Sequence, residues 1–177
     1  MTADSRSKRV FFALLPDRET VEAINFHANQ FSPDTGSKVR AENFHITLLF
    51  LGNVSTQSIE NLCMDCDSLA NPAFDLIINS PGWWKKAGIL WLGPNDIPAA
   101  LDNLHQSLRS LATRHRIATD NKPYVPHITL LRKVWEAPEN PVVRPFTWSA
   151  DSFTLMQSET LPDGARYTEL ASWSLIQ

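Results

Sequence analysis

The pentapeptide His-Ile-Thr-Leu-Leu occurs twice in this chain, beginning at His45 and at His127. Both copies are rich in residues that favour β-strands, and neither contains Gly or Pro. Because side chains alternate across a strand, His45 shares a face with Thr47, and His127 shares one with Thr129. If the two strands face each other, two imidazoles and two hydroxyls converge on one small volume.

This set of side chains suits acid–base chemistry on an anionic substrate. One imidazole can act as a general base and the other as a general acid, because histidine titrates near neutral pH. Each such proton transfer typically contributes about 10² to 10⁴ in rate. The threonine hydroxyls can donate hydrogen bonds to an oxyanion between the histidines. The pattern therefore indicates in-line displacement at phosphorus, with a base on the entering oxygen and an acid on the departing one.

A zinc site is the alternative use of two histidines, but zinc usually takes a third protein ligand. No Asp or Glu shares the predicted strand face of either motif histidine. The only cysteines, Cys63 and Cys66, lie in a predicted helix without a second pair, so we predict that they pack in the core. The other histidines, His27, His105 and His115, fall on helical stretches, and we predict that they lie at the surface. We expect neither a metal nor another cofactor.

Composition limits the class of protein. The chain has 177 residues, of which 43% are hydrophobic and 20% charged, as expected for one globular domain. Its net charge of -3 argues against a protein that grips long nucleic acid by its phosphates, but it allows a small anionic ligand. No apolar run is long enough to span a membrane, and the first residues lack the apolar core of a signal peptide. We therefore expect a cytoplasmic protein.

The elements that must position the motifs are three helices and a set of short strands. Apolar residues recur at helical spacing after Asp17, after Ser55 and over 99–115, and Asp17 and Ser55 are predicted N-caps. The first motif strand is predicted to run to Leu51 and to end in a turn at Gly52. The other strands are predicted at 9–15, 74–79, 89–92, 124–133, 146–148, 152–158 and 167–175, with a bend at 80–82 and a hairpin turn at 162–164. This mixture favours an α+β fold with antiparallel pairing.

The paired His-x-Thr-x pattern resembles the two-histidine (2H) phosphoesterase family. More narrowly, it resembles the bacterial and archaeal RNA 2′,3′-cyclic phosphodiesterases, formerly called 2′-5′ RNA ligases. The paired motif is specific, whereas either copy alone would be a weak signal. The similarity covers nearly the whole chain and rests on the segments 9–13, 43–48, 51–52, 91–93, 126–130 with Arg132, and 166–167.

The resemblance implies a bilobal, pseudo-twofold fold in which two antiparallel sheets line a central cleft with helices outside. Residues 1–177 would form one such domain, and each lobe would contribute one motif strand. The implied activity is metal-free hydrolysis of a terminal 2′,3′-cyclic phosphate to a 2′-phosphate, with reversible 2′-5′ RNA ligation. The implied partners are RNA ends or small nucleotides. We expect a monomer without a protein or membrane partner.

The resemblance also implies roles for the four motif side chains. His45 would donate the proton to the leaving oxygen, and His127 would be the base that activates water. Thr47 and Thr129 would hold the phosphate. The residues alone do not say which histidine is the acid, because the two motifs are nearly identical.

Two further residues are candidates for substrate binding. In relatives an arginine at the position of Arg132 contacts the phosphate, which fits the preference of guanidinium groups for phosphate oxygens. Strict alternation places Arg132 on the opposite face from His127, so this role requires a bulge or a strand end; a solvent-facing charge is the alternative. Phe12 could stack on a nucleobase, as could Trp83 or Trp84, and ordinary core packing is the alternative for each.

Two other functions are compatible with the motifs. The first is an RNA-end-binding module that keeps the cleft but does not turn over, although such a binder has no need for two proton-transfer groups. The second is a phosphodiesterase for another cyclic phosphate, such as a nucleotide-sugar or an ADP-ribose derivative. Turnover of 2′,3′-cyclic AMP separates the first from an enzyme, and rates on mononucleotide and RNA-terminal substrates address the second.

Overall fold

A computed structural model describes residues 7–139, 142–162 and 164–176. The elements are β1 (Ser7–Leu14), α1 (Arg18–Ala28), β2 (Ser37–Lys38), β3 (Ile46–Ser55), α2 (Thr56–Cys66), β4 (Phe74–Trp84), β5 (Ile89–Pro94), α3 (Ala99–Arg114), β6 (Ile128–Arg132), β7 (Phe146–Ala150), β8 (Ser152–Leu161) and β9 (Gly164–Ser174). Asp163 of the predicted hairpin turn lies outside the described residues.

The strands form one antiparallel sheet in the order β7-β4-β5-β6-β3-β1-β8-β9, and β2 pairs with β6. The α+β class is confirmed, but the prediction of two separate sheets is wrong. The motif strands β3 and β6 meet through the pair Ile46 and Ile128, which joins the half made of β3, β1, β8 and β9 to the half made of β6, β5, β4, β7 and β2. Both isoleucines are fully buried. Their shared burial brings the two motif strands together in one core.

The three helices pack on one face of the sheet. Asp17 Oδ1 accepts a hydrogen bond from Thr20 N at 2.8 Å, and Ser55 Oγ accepts one from Ser58 N at 3.2 Å, so both predicted N-caps are confirmed. Helix α1 packs on β6 and β7, and α3 packs on β3 and α2. Cys66 belongs to this core, as predicted, and burial raises the pKa of its thiol to about 12. No helix in the described ranges is long and apolar enough to span a membrane.

Two predicted turns lie inside strands. Gly52 continues β3 with a φ of 71°, opposite Val10, beside a register shift that leaves one residue of β3 unpaired. A glycine accepts this left-handed conformation at low cost, so the strand bulges instead of turning. Pro81 continues β4 beyond Ile78, where β7 stops pairing with β4. Its missing N–H therefore costs no ladder hydrogen bond on that side.

The prediction that the helical histidines lie at the surface is wrong for His27 and His105, which are 2% and 6% exposed. His27 Nδ1 donates to the Ala23 carbonyl at 2.8 Å, and its Nε2 accepts from a backbone N–H at 3.1 Å. His105 Nδ1 donates to the Leu48 carbonyl at 2.7 Å. Backbone groups thus partner both ring nitrogens of His27 and the Nδ1 of His105 inside the protein.

Candidate active site

The two motif histidines stand immediately before β3 and β6 and are held in the same way. His45 Nδ1 lies 2.7 Å from the Asn43 carbonyl oxygen, and His127 Nδ1 lies 2.8 Å from that of Val125. Since a carbonyl can only accept, Nδ1 carries the hydrogen in both rings, which leaves both Nε2 atoms for proton transfer. His45 Nε2 also lies 3.1 Å from Thr47 Oγ1.

The register between the motif strands brings the four side chains together. Ile46 pairs with Ile128 in an antiparallel arrangement. One residue to either side of this pair, the same register places His45 opposite Thr129 and Thr47 opposite His127. All four side chains line one cavity of about 200 Å³. The predicted convergence of the two motifs is therefore confirmed.

A bulge places Arg132 in the same cavity. The register of β6 on β5 shifts between Thr129 and Leu131, which leaves Leu130 as an extra residue. Leu130 and Leu131 are both buried, so the alternation resets and Arg132 returns to the face of His127. Arg132 lines the cavity with both histidines. A phosphate-binding role for Arg132 requires a bulge or a strand end, and this bulge supplies it.

The first motif contains the same bulge, and it exposes an aromatic side chain that sequence reasoning missed. The register of β3 on β1 shifts between Thr47 and Leu49, so Leu48 is the extra residue. Phe50 then faces the cavity, as Arg132 does in the second motif, and it is 43% exposed. The guanidinium of Arg9 lies 4.9 Å from its ring centroid. The signal in the sequence is the Leu-Leu pair, which breaks the alternation in both copies.

The prediction that Phe12 stacks on a nucleobase is wrong. Phe12 is fully buried and packs in the main core, 6.1 Å from the ring centroids of both Phe153 and Trp173. The neighbouring Phe11 is the residue that lines the cavity. Trp83 is engaged elsewhere, because its Nε1 donates to a backbone carbonyl at 2.9 Å.

Aromatic side chains flank both histidines. Phe11 and Tyr167 each lie 5.1 Å from the ring centroid of His45. Trp84 lies 4.5 Å from the ring centroid of His127, so it packs on the candidate catalytic ring. These contacts partly shield both half-buried imidazoles from solvent and fix their orientation.

Burial disfavours the charged form of both histidines. It lowers the pKa of His45 to about 4, where the hydrogen bond to Asn43 opposes the shift and the charges of His127 and Arg132 add to it. Burial also lowers the pKa of His127, against its hydrogen bond to Val125, and Arg132 lowers it further. Both rings are therefore neutral at pH 7 in the ligand-free protein. A bound phosphate would favour an imidazolium, because opposite charges stabilise each other.

Two side chains behind the site hold the backbone of the first motif. The rings of His105 and Tyr124 stack with their centroids 4.1 Å apart and their planes 6° apart. Tyr124 Oη donates to the Thr47 carbonyl at 3.2 Å, and His105 Nδ1 donates to the Leu48 carbonyl at 2.7 Å. Both acceptors belong to the bulge that orients the motif. Tyr124 also lies three residues before His127, so it links the two motifs.

The side chains that line the cavity are not a typical metal-binding set. Across the described ranges, no three His, Cys, Asp or Glu side chains cluster in a way that could hold a metal ion. The polar groups around the histidines are hydroxyls and guanidinium groups. They are donors suited to an anion.

Known proteins share this sequence and this fold. The sequence profile of the 2′-5′ RNA ligase superfamily matches residues 16–161. The RNA 2′,3′-cyclic phosphodiesterase of Escherichia coli is 38% identical over 176 residues, covering 98% of this chain and 99% of that protein. The enzyme of the same name from Thermus thermophilus is 29% identical, covering 94% and 90%.

A solved structure shows the same architecture. The crystal structure of E. coli LigT complexed with 3′-AMP superimposes with a TM-score of 0.90 at 35% identity, covering 97% of this chain and 100% of that one. The matched sequence, the shared fold and the two converging motifs agree. This chain belongs to the 2′-5′ RNA ligase superfamily of 2H phosphoesterases.

Proposed function

We propose that this protein is an RNA 2′,3′-cyclic phosphodiesterase that hydrolyses a terminal 2′,3′-cyclic phosphate to a 2′-phosphate without a metal. The observation that carries the proposal is the site itself. Two imidazoles with the same anchored Nδ1 converge in a cavity with two hydroxyls and Arg132. The 38% identity to the E. coli enzyme over nearly the full length supports it.

The phosphate is the group that the cavity recognises. Thr47 and Thr129 donate hydrogen bonds to its non-bridging oxygens, and the Arg132 guanidinium binds the same oxygens by charge-assisted hydrogen bonds. The arriving anion opposes the low pKa of the histidines, so one ring becomes protonated as substrate binds. Binding thus creates the protonation state that catalysis needs.

His127 and His45 then transfer protons on opposite sides of the phosphorus. His127 Nε2 removes a proton from a water molecule, whose oxygen forms a bond to phosphorus. The bond from phosphorus to the ribose 3′-oxygen breaks, and His45 Nε2 gives its proton to that oxygen. The product carries a 2′-phosphate and a free 3′-hydroxyl, and proton exchange with solvent resets the two rings.

The same site supports 2′-5′ RNA ligation when an RNA 5′-hydroxyl replaces the attacking water. His127 would remove the proton of that hydroxyl, and the cyclic phosphate would open to a 2′-5′ phosphodiester. Cleavage of the linkage is the reverse of this step. The two halves of the sheet would then act as two lobes of one monomeric domain, each supplying one histidine.

Phe50 is the residue that we assign to the nucleobase. Its exposed ring lines the cavity that holds both histidines, and the Arg9 guanidinium lies 4.9 Å from the ring centroid. An aromatic face of this kind stacks on any base, so it would bind RNA ends with little sequence preference. Nucleotide binding by the E. coli relative, solved with 3′-AMP, supports this assignment.

The test of the proposed function is hydrolysis of an RNA oligomer that ends in a 2′,3′-cyclic phosphate, in the presence of EDTA. We expect turnover in chelator, with a 2′-phosphate end identified by its resistance to enzymes that require a 3′-phosphate. A site that only binds RNA ends would retain the oligomer without converting it. Activity that is lost in EDTA and restored by zinc would contradict the metal-free mechanism.

A second assay assigns the acid and the base. A nucleoside aryl phosphodiester releases an aryloxide that needs no proton, so it makes the general acid dispensable. We expect His45→Ala to recover most of its lost rate on this substrate, whereas His127→Ala should not. The reverse pattern would exchange the two roles and leave the two-histidine mechanism intact.

A further inference from the structure

A second cavity opens beside the candidate catalytic one. Its volume is about 370 Å³, and it shares His45, Thr129, Arg132 and Tyr167 with the smaller cavity. It reaches His45, whereas His127 is not among its lining residues. This space is therefore open to a substrate part that extends past the phosphate on the His45 side.

The lining of this cavity is basic in a chain whose net charge is -3. Among the described residues that line it there are four cations and no carboxylate: Lys38, Arg40, Arg132 and Lys133. The groove that follows beyond Lys133 is different, because Asp34, Glu136 and Glu139 line it. The space next to the catalytic residues is thus more positive than the neighbouring groove, which Lys133 also borders, and it is the better of the two for a phosphate anion.

The basic segment is fixed to the catalytic strand. Ser37 and Lys38 form β2 and pair with Arg132 and Leu131 of β6. Gly36 permits this close approach, because a Cβ there would lie 2.6 Å from the Arg132 carbonyl oxygen. The short strand β2 therefore holds Lys38 at a set position relative to the phosphate site.

Two lysines of this cavity, Lys38 and Lys133, are exposed at its surface. Lys38 Nζ lies 3.3 Å from the Asn29 amide oxygen, a neutral partner. An exposed contact of this kind exchanges readily with a stronger anionic partner. Lys133 has a φ of 60°, a left-handed conformation that glycine adopts at low cost. A lysine at this position keeps a charge beside Arg132 despite an unfavourable backbone.

We propose that this cavity binds the phosphate on the 5′ side of the terminal ribose, through Lys38 and Lys133. The inference rests on the proposed function. The leaving 3′-oxygen belongs to the ribose and lies at His45, so the ribose continues into the cavity that His45 borders. The recognised group is a phosphate anion. Its source is either the preceding phosphodiester of an RNA or the 5′-phosphate of a small nucleotide.

The experiment compares three substrates: adenosine 2′,3′-cyclic phosphate, its 5′-phosphorylated form, and a trinucleotide ending in a 2′,3′-cyclic phosphate. We expect kcat/KM to be about three- to tenfold higher when the 5′-phosphate is present, as for one charge-assisted contact at an exposed site. Lys38→Ala and Lys133→Gly should each remove much of this gain without changing kcat/KM for the unphosphorylated substrate. Glycine suits the left-handed backbone at position 133, so we expect Lys133→Gly to keep the fold.

A salt series and a matched variant complete the test. On the trinucleotide, log kcat/KM should fall with log salt, and each lost contact should reduce the magnitude of this negative slope by about 0.7. Lys122→Ala removes an exposed lysine that lines neither cavity, and it should change nothing. A gain on both phosphorylated substrates indicates any 5′-phosphate, and a gain on the trinucleotide alone indicates RNA; both support the site.

Different results would refute the 5′-phosphate site and the proposed function. Equal kcat/KM on all three substrates, or variants that slow all three equally, would refute the 5′-phosphate site. Failure to hydrolyse adenosine 2′,3′-cyclic phosphate and the trinucleotide alike would instead refute the proposed function.

Discussion

The activity of this protein should increase as the pH falls below neutrality. Catalysis by two imidazoles requires one protonated and one neutral ring. In the ligand-free protein, burial lowers the pKa of His45 to about 4 and also lowers that of His127, while the charge of Arg132 adds to both shifts. The singly protonated pair is therefore scarce at pH 7. This holds whichever histidine is the acid.

The size of the effect follows from the pKa of His45. At pH 7 an imidazole with a pKa of about 4 is protonated in about one molecule in 10³, against roughly one in four for an ordinary imidazole. The profile of kcat/KM reports the free enzyme, so it should rise about tenfold per pH unit on going from about pH 8 to below pH 6.5. The profile of kcat should break at higher pH, because the bound phosphate favours the imidazolium.

The variant Arg132→Met tests whether the charge of Arg132 contributes to the low pKa of the two histidines. Loss of this cation should raise the pKa of both histidines, so the break in kcat/KM moves towards neutral pH while the rate itself falls. Lys122→Ala removes an exposed cation away from the cavity and should leave the break in place. The assay is initial-rate hydrolysis of 2′,3′-cyclic AMP across this pH range. A break near pH 6.5 that Arg132→Met does not move would refute the reasoning.

Three further outcomes follow from the same contacts. Phe50→Ala should raise KM several-fold with little loss of stability, whereas Phe12→Ala should cost about 3 to 5 kcal/mol of unfolding free energy in denaturant titrations, as for other buried Phe residues. Tyr124→Phe removes the hydrogen bond to the Thr47 carbonyl and should lower kcat more than it raises KM, with the crystal structure showing a shifted bulge. The pKa of His45 is depressed in the folded state, so the unfolded chain binds more protons below pH 6.5. Unfolding free energy should therefore decrease by up to about 3 kcal/mol as the pH falls from 6.5 to below 4, and His45→Gln should remove that part of the decrease. Unchanged pH dependence in this variant would contradict the assignment.

The sequence was sufficient to predict what depends on local patterns. Strand alternation predicted the shared face of each His and Thr, whereas the convergence of the two motifs could be stated only on the condition that their strands face each other. Asp17 and Ser55 were identified as N-caps because a side-chain oxygen before an amphipathic stretch satisfies free backbone N–H groups. The shared faces and the two N-caps are each determined by residues within a few positions of one another.

The features that sequence reasoning missed depend on partners far along the chain. The bulges at Leu48 and Leu130 are defined by the neighbouring strands, so the face of Arg132 could only be stated as a condition. Residues 10–14 are all apolar, so alternation within them does not show whether Phe11 or Phe12 faces the cavity. The polar Arg9 lies two residues before Phe11 and therefore marks the face that lines the cavity. The local sequence does not mark Lys38 as a site residue, because β2 is defined only by its pairing with β6.

Single-turnover hydrolysis by His45→Ala, His127→Ala and the double variant tests the central claim most directly. We expect each single variant to lose about 10² to 10⁴ in rate while its fold and its affinity for 2′-AMP are retained. The double variant should be about as slow as the slower single variant, because the two rings act as one unit. A correctly folded single variant that turns over at the wild-type rate would contradict proton exchange between two histidines across one phosphate.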